Sequence, residues 1–368
     1  MADIDKAITF DEQQDLGVRN RTKEMEIEVD VTEENPDLDS FEQMEDGSIA
    51  FGEPTPPMED TDFYANLADI MPDSDLNSLK NDLMSNIESD KDSRGDWEKT
   101  YREGLEYLGM KYEERSQPFE GASGVMHPLL SESVTQFQAQ AYNELLPSQG
   151  PVKTQVLGMT TPETEQQAAR VQEFMNYQLM QVMKEYDPET DQMLFYLPLS
   201  GSAFRKVYYD QNLGRAVSKF IPSEDLIVPY SATDLHSATR ITHVINMPMN
   251  DIRKLQQIGF YSDVDIDSGN MMADETDDIQ EGIDELQGVK PSYDDDDTCK
   301  VHEIHTELDI EGFEDMNAEG EDTGIKLPYI VTIGNNKVLS IRRNYKENDQ
   351  LKQRINYFVH YKFLPGLG

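Results

Sequence analysis

The run His302-Glu303-Ile304-His305 is the first place in this chain where residue types suggest chemistry. It falls one residue short of the spacing at which two histidines on a helix, i and i+4, face one metal ion. The surrounding residues alternate as a strand does. His302, Ile304, Thr306, Leu308 and Ile310 point one way, and Val301, Glu303, His305 and Glu307 the other. The two histidines therefore sit on opposite faces and cannot chelate one metal ion together. Cys299-x-x-His302-x-x-His305 fails as a zinc site for the same reason.

Other signatures also miss. Asp263, Asp265 and Asp267 begin like a calcium loop, but the glycine comes one place late at Gly269, and position 12 is the short Asp274. Gly121-Ala122-Ser123-Gly124 is one residue short of a nucleophile elbow. No phosphate-cradling or dinucleotide-binding glycine motif occurs. The expectation is a protein that is not an enzyme, with no catalytic residue, cofactor or metal. One basic concentration stands out: Arg342, Arg343, Lys346, Lys352, Arg354 and Lys362 against only Glu347 and Asp349. Of these, Arg342, Arg343, Lys346, Arg354 and Lys362 are the candidate contacts to a DNA backbone or to a neighbouring subunit.

The elements that would carry these residues follow from periodicity. Trp97, Tyr101, Leu105, Leu108 and Tyr112 share a helical face. Pro128 opens a second helix along Leu130, Val134, Phe137, Ala141 and Leu145, which Pro147 stops. Thr161 as N-cap, Pro162, and Glu163 and Glu165 at the positive end of the dipole start a third, with an apolar stripe Ala168, Val171, Met175, Leu179, Val182 and Tyr186. From about residue 202 the period becomes two. Residues 203–210 and 215–221 flank a turn, 226–229 and 240–247 are further strands, and Asn250 caps a short helix closed by Gly259. Strand character returns at 299–310. A hairpin turns at Gly334-Asn335-Asn336, and 355–363 is strand-like.

Charge divides the chain. The formal net charge is -42, but residues 1–90 hold 26 acidic and 5 basic side chains, and residues 261–298 hold 14 and 1, leaving only -8 for the remainder. Segments this acidic and this poor in apolar period cannot bury enough surface to offset their conformational entropy. The expected organisation is a disordered acidic tail (1–72), a helical and β body (73–260), a disordered acidic insertion (261–298) and a β segment (299–368). The expected fold class is α+β, long helices plus antiparallel hairpins. Broad cationic coating of duplex DNA is excluded, because it needs Lys and Arg to displace condensed counterions. No apolar run approaches a membrane span; the longest is about Leu194–Leu199. A single cysteine, Cys299, rules out an internal disulfide.

Five blocks in order then carry a resemblance. They are Trp97–Leu105; Pro118–Gly124 with the helix through Glu144-Leu145-Leu146-Pro147; Leu199–Tyr209; Ile221–Tyr230; and Ile341–Tyr345 with His360–Gly368. Together they resemble the portal, or head-to-tail connector, protein of short-tailed bacteriophages, over about residues 95–260 and 299–368. The resemblance implies a subunit of a ring, a dodecamer in that family, at one capsid vertex of the virion, assembled in the host cytoplasm. It implies a wing, a stem and a clip around a tunnel that passes double-stranded DNA during packaging and ejection. The implied partners are further copies of the chain, the terminase motor, capsid and scaffold proteins, tail adaptor proteins, and duplex DNA held transiently and without sequence preference. Portals of this kind continue past the Pro-Gly-Leu-Gly block, so the chain is expected to be the wing-rich N-terminal part, ending before stem and clip. The alternative is an acidic non-portal virion scaffold or adaptor that binds partners through its tail.

Overall fold

The computed structural model of the chain describes residues 63–109, 119, 121, 127–210, 213–266, 298–316 and 322–363. These form an α+β fold, as the change from helical to period-2 patterning predicts. The helices are α1 (Asp73–Ser93), α2 (Gly95–Leu108), α3 (Leu129–Leu145), α4 (Pro162–Tyr177), α5 (Tyr186–Ser200) and α6 (Met249–Gln257). The strands are β1 (Ser202–Asp210), β2 (Arg215–Ile221), β3 (Leu226–Ile227), β4 (Arg240–Pro248), β5 (Thr298–Leu308), β6 (Leu327–Gly334), β7 (Lys337–Arg343) and β8 (Phe358–Lys362). All pair antiparallel in two sheets, β2-β1-β8 and β3-β4-β5-β6-β7.

Strand alternation decides the layering. One face of the five-stranded sheet presents Ile227, Ile304, Val331 and Ile341 to Leu83 and Ile87 of α1. Its other face presents Leu226 and Ile241 to Phe204, Ile221 and Phe358 of the three-stranded sheet. On that same side Cys299, Val301 and Leu339 meet Met249 and Ile252 of α6. The far face of the three-stranded sheet, through Ala203 and Phe220, packs on Met193, Leu194 and Leu197 of α5, with Phe137 and Ala141 of α3 beside them. The order of layers is thus α1, large sheet, small sheet, then α5 with α3.

Exposed strand edges invite pairing with other chains, and several here are occupied by side chains. The Asn66 carboxamide oxygen accepts from the backbone N–H of Ile341 on β7 at 2.9 Å. Glu189 of α5 accepts from the N–H of Phe220 on β2 at 2.7 Å. Arg94 donates to the carbonyl of Leu226 on β3 at 3.3 Å. The β6–β7 hairpin turns on Asn335 and Asn336, both at positive φ (44° and 63°), the left-handed pair that a two-residue turn needs. Gly334 has a different role. A Cβ there would lie 2.8 Å from Leu339 Cδ1, so the site requires a close approach rather than a special φ.

The sequence reading and the structure part in four places. Residues 63–72, assigned above to the tail, are packed: Leu67 is fully buried against the α1 face of the large sheet, and Phe63 stacks edge-on against Tyr345. Residues 261–266, assigned to the insertion, are also in the core through Tyr261 and Ile266. The rest of both acidic tracts, 1–62 and 267–297, lies outside the described residues, as do most of the Pro118–Gly124 block and the final five residues. The third helix does not run to Tyr186. It ends at Tyr177 and passes through a π turn, Gln178–Val182, before α5 begins at Tyr186. Finally, α6 begins at Met249 behind Pro248, not behind an Asn250 cap.

The Thr161 start of α4 holds as read. Thr161 and Thr164 exchange side-chain and backbone hydrogen bonds in a capping box. Among the described residues, however, the apolar stripe of α4 meets no core, and no residue of α4 is buried.

Candidate functional site

Among the described residues, ionisable groups converge between the two sheets. Lys206 is the fifth residue of β1, and alternation turns it toward the large sheet along with Phe204. Glu303 and His305 are two apart on β5, so they share the facing side, and register places His243 of β4 directly opposite Glu303. Lys206 Nζ donates to both carboxylate oxygens of Glu303 at 2.6 Å. His305 Nε2 lies 2.7 Å from Glu303 Oε1, and Asn344 Nδ2 lies 3.4 Å from His305 Nδ1. With the Asn344 amide donating, Nδ1 is the acceptor and Nε2–H donates to the carboxylate. That is the neutral imidazole.

Burial and charge act together on these groups. Burial opposes ionisation of Glu303, yet the Lys206 ammonium and the hydrogen bond from His305 hold its carboxyl far below the usual range. Burial pushes His305 down, against the pull of Glu303. Burial and the Lys206 ammonium push His243 down to about 3. The rings of Tyr208 and Phe358 lie under the Lys206 ammonium at 5.4 and 5.9 Å, and Phe358 also packs edge-on against His305 at 5.0 Å. Both oxygens of Glu303 and both nitrogens of His305 are engaged. The arrangement fixes charge in place and joins two sheets.

The candidate basic residues do not form one surface. Arg342 donates to the carbonyls of Tyr64 and Phe260, each at 2.9 Å, and lies over the Phe260 ring. Arg343 donates to the carbonyl of Phe63 at 2.8 Å, between the Phe63 and Phe313 rings. Arg354 donates to the carbonyls of Ala238 and Leu235, both at 2.7 Å, and to that of His236 at 3.2 Å. Lys352 pairs with Asp315. These guanidinium groups tie loops to the sheets. Lys346 follows β7 of the larger sheet and Lys362 lies on β8 of the smaller one, and both are exposed.

The two strand histidines fall on opposite faces, as alternation requires. Among the described residues no three of His, Cys, Asp and Glu converge closely enough to hold a metal ion. Cys299 is a buried free thiol, its pKa raised by burial. Among the described residues no helix is long and apolar enough to cross a membrane. The members of the inter-sheet cluster that sequence reasoning missed are Lys206, His243 and Asn344. Their partners lie far off in the chain, but a lysine at an inward-facing strand position was the readable signal.

No protein-family model matches the chain, and no curated protein matches it.

Proposed function

We propose that this chain is a structural subunit of a bacteriophage portal, the ring at one capsid vertex through which DNA is packaged and ejected. The observation that carries the reading is that the blocks resembling that family meet one another in space. Trp97 Nε1 donates to the carbonyl of Ser200 at 3.2 Å, joining the first block to the third. Ser223 of the fourth donates through Oγ to the carbonyl of Ser202 in the third. Phe137, on the helix of the second, packs edge-on against Phe363 of the fifth at 5.1 Å. Residues that set these inter-layer contacts are the ones a shared fold would retain, whereas scattered surface similarity would not gather in this way.

The charge distribution supports the same reading. A conduit must not hold its cargo, and a wall with few free cations leaves phosphates mobile. With Arg342, Arg343 and Arg354 engaged on carbonyls, Lys346 and Lys362 are the candidate cations exposed to a phosphate backbone. On this reading the chain acts in the virion, assembles in the host cytoplasm, and has as partners its own copies, the terminase motor, capsid, scaffold and tail adaptor proteins. Its work is positional, without catalysis or cofactor.

The test is mass measurement and negative-stain imaging of purified protein across a range of concentration and salt. Closed rings of one stoichiometry are expected. A monodisperse monomer under every assembly condition would overturn the reading and favour an acidic scaffold or adaptor, whose signature is capture of a virion partner by residues 1–62 alone.

A further inference from the structure

The helix α4 stands apart from the layers. Among the described residues, its hydrogen bonds outside its own turns and its N-terminal cap run to the preceding loop. Asn176 exchanges bonds with the backbone of Val152 at 2.9 and 3.1 Å, and the Thr154 hydroxyl donates to the carbonyl of Ala168 at 2.9 Å. Gln172 Oε1 accepts from the Thr154 N–H at 3.2 Å, so Ala168, Gln172 and Asn176 are occupied along one side. At 3.6 residues per turn, Val171 and Phe174 occupy another, with Tyr177 and Arg170 at its flank. Val171 is 49% exposed and Phe174 59%. Isolated helices of this length are marginal in water unless an apolar face is packed. Among the described residues, none buries this ridge.

The same chain carries a matching concavity. Between α3 and α5 lies an open groove of about 410 Å³, lined by Phe137, Ala141, Leu145, Met193, Leu197 and Tyr361. That is within the range of pockets that hold ligand-sized apolar groups, roughly 300–1,000 Å³. Its rim carries the exposed Glu144, while the ridge carries the exposed Arg170 one turn before Phe174. An apolar ridge with a cation at its edge and an apolar groove with an anion at its edge are complementary.

We infer that the occupant of the groove is the α4 arm of a second copy of this chain: Phe174 and Val171 enter between α3 and α5 of the neighbour, and Arg170 meets Glu144. Ridge and groove are different surfaces, so the contact is head-to-tail, and such contacts close into rings when the rotation between copies divides a circle. The closure, though not the contact, rests on the ring reading above.

The experiment is analytical ultracentrifugation of the whole chain with Phe174→Glu and Leu145→Glu. Both side chains are exposed (59% and 50%), so circular dichroism and thermal melting should match the wild type. Each variant alone is expected to weaken self-association roughly 30-fold or more, as loss of a buried aromatic anchor does. Each keeps the half of the contact that the other lacks, so an equimolar mixture should form dimers and nothing larger. Arg170→Glu should weaken association and Glu144→Arg in the same chain should restore it. The inference is overturned if Phe174→Glu assembles as the wild type does, which leaves the ring reading standing. It is equally overturned if the mixture stays monomeric, because the ridge would then pair with itself or with something else. A wild-type chain that never self-associates overturns both readings.

Discussion

Lys206 Nζ on β1 lies 2.6 Å from each carboxylate oxygen of Glu303 on β5, so one bidentate ion pair bridges the two sheets from inside. The side chains are only 14% and 18% exposed. Removing one partner of such a pair leaves an uncompensated charge in a poorly solvated place. Glu303→Gln and Lys206→Met are each expected to lower unfolding free energy by about 3 kcal/mol. The double replacement should recover much of that loss, since two apolar or neutral groups need no counter-charge. Denaturant titration of the four proteins gives the coupling energy, and additive single effects would contradict a bridging pair.

Acid should loosen the same joint. His243, with a pKa near 3 against an ordinary 6.5, and His305, also held down, bind protons more readily unfolded than folded. Their contribution is fully present above pH 6.5 and is lost as pH falls toward the folded values. Glu303, also depressed from 4.5, adds to the loss below that pH. The sign is the same for all three. The groups facing His243 include Lys206, Lys219, Glu303 and His305, so its protonation adds a third cation beside two lysines. Stability should fall by up to about 1.4 kcal/mol per pH unit for each histidine between pH 6 and 4. His243→Leu should flatten the slope while leaving stability at pH 8 nearly unchanged. Melting curves from pH 8 to 4 would show it; a pH-independent midpoint in the wild type would refute it.

Arg354 carries a third expectation. Its guanidinium reaches the carbonyls of three residues of one loop, Leu235, His236 and Ala238, which a single ammonium cannot span in one plane. Arg354→Lys and Arg354→Ala should therefore both destabilise, by about 1–3 kcal/mol. Faster amide exchange at residues 235–238 should accompany the change in both. Full rescue by lysine would show that charge alone matters there.

Much of this fold was legible because two periodicities are strong in the sequence. The Thr161-Pro162 start, the β1–β2 hairpin and the Asn335-Asn336 turn rest on local rules, and each lies where those rules place it. The inter-sheet cluster was not legible. Alternation told which face Glu303 and His305 share, but not that Lys206 on another sheet would meet them. The α4 stripe misled in the opposite sense: helical spacing reports that a face is apolar, and says nothing of whether the same chain covers it. The arginines at 342, 343 and 354 read as surface charge because composition cannot distinguish a solvated guanidinium from one bonded to carbonyls.

Asn66 shows why residues 63–72 escaped the sequence reading, and it yields the last expectation. The segment has no periodic stripe; its place is set by one polar side chain. The Asn66 oxygen accepts from the N–H groups of Ile341 (2.9 Å) and Ala68 (3.2 Å), while its amide donates to Ser262 Oγ (2.9 Å) and the Leu339 carbonyl (3.3 Å). One buried carboxamide thus seals the β7 edge and ties residues 63–72 to 261–266, 196 positions apart at Asn66 and Ser262. Asn66→Ala leaves the Ile341 N–H without its acceptor and should destabilise by about 2–3 kcal/mol. Asn66→Asp keeps the acceptors but loses both donors and buries a charge, so it should be at least as damaging. Hydrogen exchange reports the mechanism directly. The Ile341 amide should lose protection in both variants, while amides in the β1–β2 hairpin, which Asn66 does not touch, should keep theirs. Uniform loss across both sheets would mean that Asn66 supports the global fold and not this edge.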